Sequence, residues 1–263
     1  MIGIFDSGLG GLTAYKALHA LLPREDFIYF GDTGRVPYGS RSREILLRYA
    51  RQDVNFLISK GVDAILAACG TVSSVVLDAI KSEYAIPITG VVDASVGEAL
   101  AATKNGVIGV IGTGATISSG AFEQKLRAAA PGVQVLSVAC PLFVPLVENG
   151  YIQKDCAVTK LVAADYLEPI LTGGADTLIL GCTHFPIIAE IIAAYLPGVT
   201  LISSGSAAAR SLARSLARPL SPPAFGGRSQ FYVSDSPVNF DEIARVFLGG
   251  ETVAAKRVDI EQY

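Results

Sequence analysis

The sequence predicts an α/β protein built from two similar lobes, each a mostly parallel sheet flanked by helices. Three observations support this prediction: short apolar segments alternate with amphipathic ones, most apolar segments lack alternation of polar and apolar residues, and one pattern occurs twice. Apolar segments without such alternation are typical of strands that are covered on both faces. Strands that alternate with helices along the chain indicate a parallel sheet.

Eight apolar segments are predicted to be strands. They are MIGIF (1–5), DFIYF (26–30), DAILAA (63–68), IPITGVV (86–92), GVIGVI (106–111), VQVLSV (133–138), DTLIL (176–180) and VTLI (199–202). Helical patterns lie between them. One of these, SREILLRYARQDVNFLISKG (42–61), is predicted to end at its final glycine, Gly61.

The repeated pattern relates the two halves of the chain. GVDAILAACGT (61–71) and GADTLILGCTH (174–184) each contain a Gly, a small residue, an Asp, an apolar run and a Cys eight residues after the Gly. IGIFDSG (2–8) likewise resembles IGVIGTG (108–114). Each half therefore has one strand with a Gly-rich tip and one strand that ends in a Cys. We expect two lobes related by a pseudo-two-fold axis, with the active site between them, rather than a short-period solenoid.

The boundary between the lobes is predicted near Asp93, after IPITGVV. The first lobe then comprises residues 1–92 and 204–263, and the second comprises residues 93–203. After the Pro- and Gly-rich segment RPLSPPAFGG (218–227), the tail carries one more strand-like segment, SQFYV, and a short helix, FDEIARVFLGG. This tail is too short to be a domain, so we expect it to pack on the first lobe.

Composition narrows the class of function. Of 263 residues, 51% are hydrophobic, which is enough to bury a substantial core. The 21 basic and 24 acidic side chains are nearly balanced and form no basic stripe, so a nucleic-acid partner is not expected. Two uncharged stretches, 129–147 and 191–209, reach membrane-spanning length, but Pro and Gly interrupt both. We therefore expect no membrane partner.

The cysteines and the first residues bear on compartment and metal binding. The start MIGIFDSG has no positive segment, which argues against a signal peptide and favours the cytoplasm. No two cysteines are spaced C-x-x-C, and the chain has two histidines, so a structural zinc site is not expected. Disulfides are not expected in a reducing compartment. We interpret Cys140, Cys156 and His19 as structural residues.

Polar side chains follow four of the predicted strands. They are Asp6-Ser7, Cys69-Gly70-Thr71, Gly112-Thr113 and Cys182-Thr183-His184. In open parallel α/β sheets, ligands bind at the carboxyl ends of the strands. If the lobes face each other, Cys69 and Cys182 lie on opposite sides of one cleft.

Two thiols on opposite sides of a small molecule suit the inversion of a stereocentre without a cofactor. One thiolate removes a proton from carbon, and the other thiol returns a proton to the opposite face. A free thiol has a pKa of about 8.5, so a neighbouring group must help to form the thiolate. Asp6 is placed to act beside Cys69, and His184 is placed to act beside Cys182.

Each of these residues also has a structural interpretation. A cysteine at the end of an apolar strand is usually a core residue. Two cysteines at matched positions of a repeat, each followed by small polar residues, favour a chemical role instead. Asp6-Ser7 also suits a helix N-cap, and His184, close to Pro186, suits the start of a helix. These two alternatives remain open from the residues alone.

The segment DSGLGGLT (6–13) also resembles part of a dinucleotide-binding fingerprint. Gly8 and Gly10 fit G-x-G, but Thr13 occupies the third glycine position. Asp32 stands where a ribose-binding acid is expected. Because the full pattern fails and no P-loop pattern is present, a nucleotide-dependent oxidoreductase is a distant alternative.

Five motifs together resemble the glutamate racemase family. They are FDSGLGGLT, GDTGRVPYG, LGCTHFP, CPLFVPLVENG and FYVSD, and the resemblance extends from Ile4 to about Gly249. It implies a cofactor-independent enzyme that makes D-glutamate for peptidoglycan. It also implies a bilobal homodimer with the active site between the lobes.

The resemblance implies a set of site residues. For catalysis it implies Cys69, Cys182, Asp6, His184 and Glu148. For substrate binding it implies Asp6, Ser7, Pro37, Tyr38, Gly39, Gly70, Thr71, Thr113, Thr116, Thr183 and His184. No metal ligand is implied.

Two positions depart from the family pattern. The family usually has Cys-Asn-Thr at the first thiol, where this chain has Cys69-Gly70-Thr71, so the amide that helps to hold substrate is absent. Ser203 in LISSG (201–205) stands where an Asp is common. The two-base chemistry does not require the Asn amide. Because Asn is usual at position 70 in the family, we expect Gly70→Asn to leave the fold intact. We also expect it to preserve activity or tighten substrate binding.

The sequence therefore predicts interconversion of L- and D-glutamate by a two-cysteine proton transfer, without a cofactor. One alternative is the same chemistry on aspartate or another amino acid. The other is a catalytically impaired ligand-binding homologue, in which Gly70 marks lost catalysis.

Overall fold

The computed structural model describes residues 1–216, 227–236 and 240–263. In these ranges the strands are β1 (Ile2–Asp6), β2 (Phe27–Gly31), β3 (Ala64–Ala67), β4 (Ile88–Gly90), β5 (Val107–Gly112), β6 (Gln134–Ala139), β7 (Thr177–Leu180), β8 (Thr200–Ser203), β9 (Ser229–Val233) and β10 (Ala255–Arg257). The helices are α1 (Leu12–Leu21), α2 (Arg43–Ser59), α3 (Gly70–Val75), α4 (Leu77–Ile80), α5 (Val91–Ala102), α6 (Gly114–Ser118), α7 (Ala121–Ala129), α8 (Phe143–Glu148), α9 (Ala157–Thr172), α10 (Ala189–Tyr195), α11 (Ser204–Ser215) and α12 (Phe240–Leu248). Short 3-10 helices lie at Tyr38–Ser40, Lys81–Glu83, Phe185–Ile188 and Ile260–Gln262.

The strands form two parallel sheets. The first has the order β10-β9-β2-β1-β3-β4, and the second has the order β6-β5-β7-β8. Every strand pairing in the described part of the chain is parallel. The order β2-β1-β3-β4 of the first sheet corresponds to β6-β5-β7-β8 of the second, so each of β1 to β4 has a counterpart four strands later. This confirms the prediction of two similar α/β lobes.

The central strands are apolar on both faces because both faces are covered. All residues of β1, β2, β3 and β7 are buried. Neighbouring residues of β1 belong to different cores: Ile4 packs on one face of the sheet and Phe5 on the other. The lack of polar–apolar alternation in the sequence therefore reflects helices on both sides of the sheet.

The predicted helix 42–61 is α2, and its ends are defined by local interactions. Ser42 is the N-cap and its hydroxyl accepts a hydrogen bond from the Ile45 N–H at 3.4 Å. Gly61 follows the helix with a φ of 80°, a left-handed conformation that glycine adopts without steric cost. The helix therefore stops where the sequence predicted.

The register of the parallel strands places the polar tips side by side. Phe5 of β1 pairs with Ala67 of β3, and Ile111 of β5 pairs with Leu180 of β7. The residues after β1 and β3 therefore meet at one edge, and those after β5 and β7 meet at the corresponding edge of the second sheet. Within each sheet, this register places a cysteine-containing strand end beside a glycine-rich strand end.

One sequence-based expectation needs correction. The strand predicted over 86–92 is limited to β4, because Val91 begins α5 and donates its N–H to the Ser73 hydroxyl at 3.2 Å. Asp93, near which the lobe boundary is predicted, lies in the first turn of α5. The division into residues 1–92 with 204–263, and 93–203, stays a prediction. The edge strand β10 was not predicted, because it is three residues long and carries two charges.

The tail packs on the first lobe, as predicted. SQFYV forms β9, which pairs along its full length with β2, and the predicted short helix is α12. The Pro- and Gly-rich segment predicted at 218–227 lies outside the described residues, apart from Gly227.

The two long uncharged stretches are divided among separate elements. Residues 129–147 pass through β6 into α8, and residues 191–209 pass from α10 through β8 into α11. Among the described helices, none combines the length and the apolar character needed to cross a membrane.

Candidate active site

A cavity of about 410 Å³ lies at the carboxyl ends of the two sheets. Most of the predicted site residues line it: Ser7, Pro37, Tyr38, Gly39, Cys69, Gly70, Thr71, Thr113, Glu148, Cys182, Thr183 and His184. Both cysteines therefore face one enclosed space, which the two halves of the chain build together. Asp6 and Thr116 do not line the cavity; they are buried directly behind it.

On the first-lobe side, Cys69 lies beside Ser7 and Asp6. The Cys69 thiol donates to the Ser7 hydroxyl at 3.6 Å. Asp6 is fully buried at the end of β1, and its Oδ2 accepts from the N–H groups of Gly8 at 3.2 Å and Gly11 at 3.0 Å. Its Oδ1 has no hydrogen-bond partner among the described residues. Asp6 therefore fixes the glycine-rich turn and keeps one free oxygen.

The environment of Cys69 favours the protonated thiol. Burial raises the pKa of Cys69 to about 12, and the negative charge of Asp6 adds to this effect. Burial also raises the pKa of Asp6 itself. We expected Asp6 to help form the Cys69 thiolate, but as a charge it opposes that thiolate. Asp6 can assist Cys69 only by accepting a proton.

On the second-lobe side, Cys182, His184 and Glu148 form a chain. The Cys182 sulfur lies 3.8 Å from His184 Nδ1, and His184 Nε2 lies 3.0 Å from Glu148 Oε1. Burial lowers the pKa of His184, but the hydrogen bonds to Cys182 and Glu148 outweigh burial and raise it to about 10. The imidazole is therefore a cation at neutral pH, next to the Cys182 sulfur.

Three threonine hydroxyls connect the two lobes at the floor of the cavity. Thr71 Oγ1 lies 3.1 Å from Thr113 Oγ1, which in turn lies 3.0 Å from Thr116 Oγ1. Thr113 also caps α6, since its hydroxyl accepts from the Thr116 N–H at 3.3 Å. Thr116, which was predicted to bind substrate, thus contacts Thr113 and does not line the cavity. Gly39 approaches the same place, because a Cβ at Gly39 would lie 3.0 Å from the Thr113 Cβ.

Gly70 lies against the backbone of the opposite strand end. A Cβ built at Gly70 would overlap the backbone oxygen of Gly181 and lie 3.2 Å from its carbonyl carbon. Because the obstacle is backbone, any side chain at position 70 requires the two cysteine-containing strand ends to separate. The glycine permits this close approach, so Gly70→Asn requires a local shift of the two strand ends. The expectation that this substitution leaves the fold intact stays a prediction.

Sequence reasoning missed several residues that complete the cavity, and all but one of them are apolar. Val36 and Ser40 flank the predicted segment 37–39, and Pro141, Val144 and Pro145 extend the wall that leads to Glu148. All five lie in or beside motifs noted above, so proximity to a motif was the available signal. These residues make the wall beside Glu148 largely apolar.

The residues that we interpreted as structural lie outside the cavity. Cys140 is buried in the core, and Cys156 is the N-cap of α9. His19 lies on α1 and stacks on Tyr15. Asp32, considered for ribose binding, bonds to Arg35 and Tyr38 instead. Within the described ranges, no cluster of three or more His, Cys, Asp or Glu side chains has a geometry that could hold a metal ion.

Comparison with known proteins agrees with this site. The family described as Asp/Glu/Hydantoin racemase matches residues 34–212. The glutamate racemase of Aquifex aeolicus (strain VF5) is 45% identical over 250 residues, which cover 95% of this chain and 94% of that protein.

Two solved structures are similar over nearly their whole length. The glutamate racemase of Francisella tularensis subsp. tularensis SCHU S4, in complex with D-glutamate, matches with a TM-score of 0.90 and 39% identity, covering 100% of this chain and 98% of that chain. A glutamate racemase isoform of Bacillus anthracis matches with a TM-score of 0.92 and 35% identity, covering 98% and 97%. From the fold, the paired cysteines and these similarities, we conclude that the chain belongs to the Asp/Glu/Hydantoin racemase family, among the glutamate racemases, and is an amino-acid racemase.

Proposed function

We propose that the chain interconverts L- and D-glutamate by a two-cysteine, two-base proton transfer that needs no cofactor. The observation that carries this proposal is the position of the two thiols. Cys69 and Cys182 follow the corresponding strands β3 and β7 and line the same cavity. A small amino acid between them would present one face of its α-carbon to each sulfur.

The surroundings of the two sulfurs support different roles before the reaction: Cys182 as the base and Cys69 as the acid. The His184 cation stabilises negative charge on Cys182, whereas Cys69 keeps its proton because its pKa is raised to about 12. One base and one acid are the pair that the first proton transfer requires. In the forward step Cys182 takes the α-proton, and Cys69 gives its own proton to the opposite face of the carbanion. The product is the other enantiomer, and the two thiols have exchanged protonation states.

The lining of the cavity supports an amino-acid dicarboxylate as substrate. Hydroxyl groups from Ser7, Thr71, Thr113 and Thr183 can donate to carboxylate oxygens, and the His184 cation adds a positive charge. The relative from Francisella tularensis was solved with D-glutamate, which supports glutamate as the substrate. Pro37, Tyr38, Gly39 and Gly70 supply the remaining substrate contacts in this proposal.

In the cell, we propose that this activity supplies D-glutamate for peptidoglycan synthesis, in the cytoplasm, by a homodimer. The domain division into 1–92 with 204–263, and 93–203, is part of the same proposal. The strand orders of the two sheets support it, because one repeats the other. Analytical ultracentrifugation tests the homodimer, and a monomer at catalytic concentrations would contradict it.

The substrate is tested by incubating the purified protein with L-glutamate alone and following optical rotation. We expect the rotation to decay to zero without any added cofactor. L-aspartate in place of L-glutamate is the matched comparison, and faster turnover of aspartate would indicate the alternative substrate. Glutamate binding detected by calorimetry, without any change in rotation, would indicate a catalytically impaired binding protein.

A further inference from the structure

Four side chains form a hydrogen-bonded group on the first-lobe side of the cavity, and we call them the quartet: Asp32, Arg35, Tyr38 and Asp53. Asp32 follows β2, Arg35 and Tyr38 lie between β2 and α2, and Asp53 lies in α2. Both carboxyl groups are fully buried, and Tyr38 is 1% exposed. The proton transfer proposed above uses neither carboxyl group.

The Tyr38 phenol oxygen lies between the two carboxyl groups. It bonds to Asp32 Oδ2 and lies 3.1 Å from Asp53 Oδ2. Arg35 bridges the same two groups, donating from Nε to Asp32 Oδ2 at 2.6 Å and from Nη2 to Asp53 Oδ1 at 3.2 Å. The four side chains therefore form a closed ring of hydrogen bonds.

The hydrogen bonds of this ring require one more proton than a neutral phenol and two ionised carboxylates would supply. A phenol has one proton, so Tyr38 can donate to one carboxyl group only. Two ionised carboxylates would also share a single guanidinium, and the excess buried charge is costly. A proton on Asp53 resolves both problems, since Asp53 then donates to Tyr38 and Tyr38 donates to Asp32.

The titration behaviour of the group agrees with this count. Burial raises the pKa of Asp53 well above its ordinary value, and the charge of Asp32 raises it further. Burial likewise raises the pKa of Tyr38, so the phenol keeps its proton. Asp6 at the end of β1 also faces the quartet, and Gln52 and Glu261 accept from Arg35 Nη1 at 2.5 Å and 3.2 Å. The Tyr49 ring, a neutral group, packs against Tyr38 and lies 4.0 Å from the Arg35 guanidinium carbon. None of these four side chains supplies a second cation.

The quartet holds one wall of the active-site cavity. Val36, Pro37, Tyr38 and Gly39 all line that cavity. Gly39 packs against Thr113 of the second lobe, and the Thr113 hydroxyl is hydrogen-bonded to that of Thr71. A shift of the Tyr38 phenol therefore moves Gly39 relative to the threonines that face the substrate.

We propose that the quartet positions the segment 36–39 for substrate, and that it does so while one proton is held between Asp53 and Tyr38. Asp53 is thus a positioning residue for the racemase reaction, although it touches neither the cavity nor the two thiols. This inference rests on the proposed function, because its kinetic readout is the KM for glutamate.

Two variants of Asp53 test the positioning role. Asp53→Ala removes the hydrogen bond to Tyr38, and we expect KM to rise about threefold to tenfold, the range for one buried hydrogen bond. We expect kcat to change much less. In Asp53→Asn the amide N–H replaces the O–H of the protonated acid, so KM should return close to the parent value. The control Asn55→Ala lies on the exposed side of the same helix and should leave KM and kcat unchanged.

A parent-like KM in Asp53→Ala, or a KM for Asp53→Asn as high as that of Asp53→Ala, would overturn the proposal. If Asp53→Ala does not fold, Tyr38→Phe removes the phenol oxygen alone and should raise KM by a similar factor. An unchanged KM in Tyr38→Phe would overturn the proposal equally.

The shared proton is tested separately from activity. As pH rises through the pKa of Asp53, the parent quartet gains a second carboxylate, so the parent KM should rise while that of Asp53→Asn does not. Infrared spectra at neutral pH should contain a protonated-carboxyl band that Asp53→Asn lacks. Absence of this difference would overturn the inference, whatever the substrate. A parent protein that has the band but does not racemise glutamate would instead overturn the proposed function.

Discussion

At the residue scale, Cys69 and Cys182 occupy matched positions but have opposite electrostatic surroundings. Cys69 lies near the carboxyl group of Asp6, whose charge adds to burial in raising the pKa of the Cys69 thiol, whereas the Cys182 sulfur lies 3.8 Å from His184 Nδ1. The two sulfurs therefore cannot replace each other. In the proposed reaction each sulfur acts on its own face of the substrate, and the two exchange protonation states in each turnover.

Serine in place of either cysteine tests this asymmetry. Because a hydroxyl is a far weaker acid than a thiol, we expect Cys69→Ser and Cys182→Ser each to reduce racemisation by at least about a hundredfold. The measurement is the initial rate by circular dichroism in both directions. Cys140→Ser is the matched control, because Cys140 is buried nearby but does not line the cavity. Parent-like activity in either active-site variant would rule out the two-thiol assignment.

We expect Glu148 to set the alkaline limit of activity through its hydrogen bond with His184. Its hydrogen bond helps to raise the pKa of His184 to about 10, so the His184 cation is lost as pH rises through that value. In Glu148→Gln the carboxylate charge is gone, and we expect the alkaline limb of log kcat/KM to move down by about one pH unit. A limb at the parent position would mean that the His184 cation does not support Cys182.

Gly70 is the residue at which the family resemblance and the structure disagree. Because a Cβ at position 70 would overlap the Gly181 backbone oxygen, we expect Gly70→Asn to lower kcat/KM by more than about tenfold, or ~1.4 kcal/mol. It should also lower Tm. Gly97→Ala is the control, because a Cβ at Gly97 meets nothing within 4 Å and should be tolerated. Higher affinity and a normal Tm in Gly70→Asn would restore the original expectation.

At the scale of the elements, the sequence predicted strands better than the points where helices begin. Strands such as β7 are four consecutive buried apolar or small residues, and this pattern is local. The start of α5 at Val91 was missed, because it depends on the Ser73 hydroxyl from another helix. Only the family motif indicated Glu148. Its partner His184 lies 36 residues away and comes close only in the folded chain, so no local pattern links the two residues.

Ser203 departs from the family pattern but can perform the capping role of the Asp that is common at this position. Its hydroxyl caps α11 and accepts from the Ser206 N–H at 3.4 Å, a role that Asp also performs. We expect Ser203→Ala to lower the free energy of unfolding by about 1 kcal/mol and Ser203→Asp to preserve it. Urea denaturation measures both. Equal stability of the alanine variant would show that the cap contributes little to this helix.

At the scale of the whole molecule, two similar sheets build one site from their matching edges. The repeat of Gly, Asp and Cys in the sequence was sufficient to predict this arrangement, because it marks the same strand in each lobe. The contacts that join the lobes were beyond sequence reasoning. Neither the Thr71–Thr113 hydrogen bond nor the approach of Gly70 to Gly181 leaves a local pattern, since each depends on how one lobe meets the other.

The central claim is that two different thiols serve the two faces of the substrate, and solvent deuterium tests it most directly. L-glutamate is incubated with the protein in D₂O, and the α-carbon label of each enantiomer is measured at low conversion. Cys182 would remove the substrate proton while Cys69 delivers a deuteron from solvent. We therefore predict deuterium in nearly all of the D-glutamate formed and almost none in the recovered L-glutamate. Equal early labelling of both enantiomers would indicate one base acting on both faces and would contradict the claim.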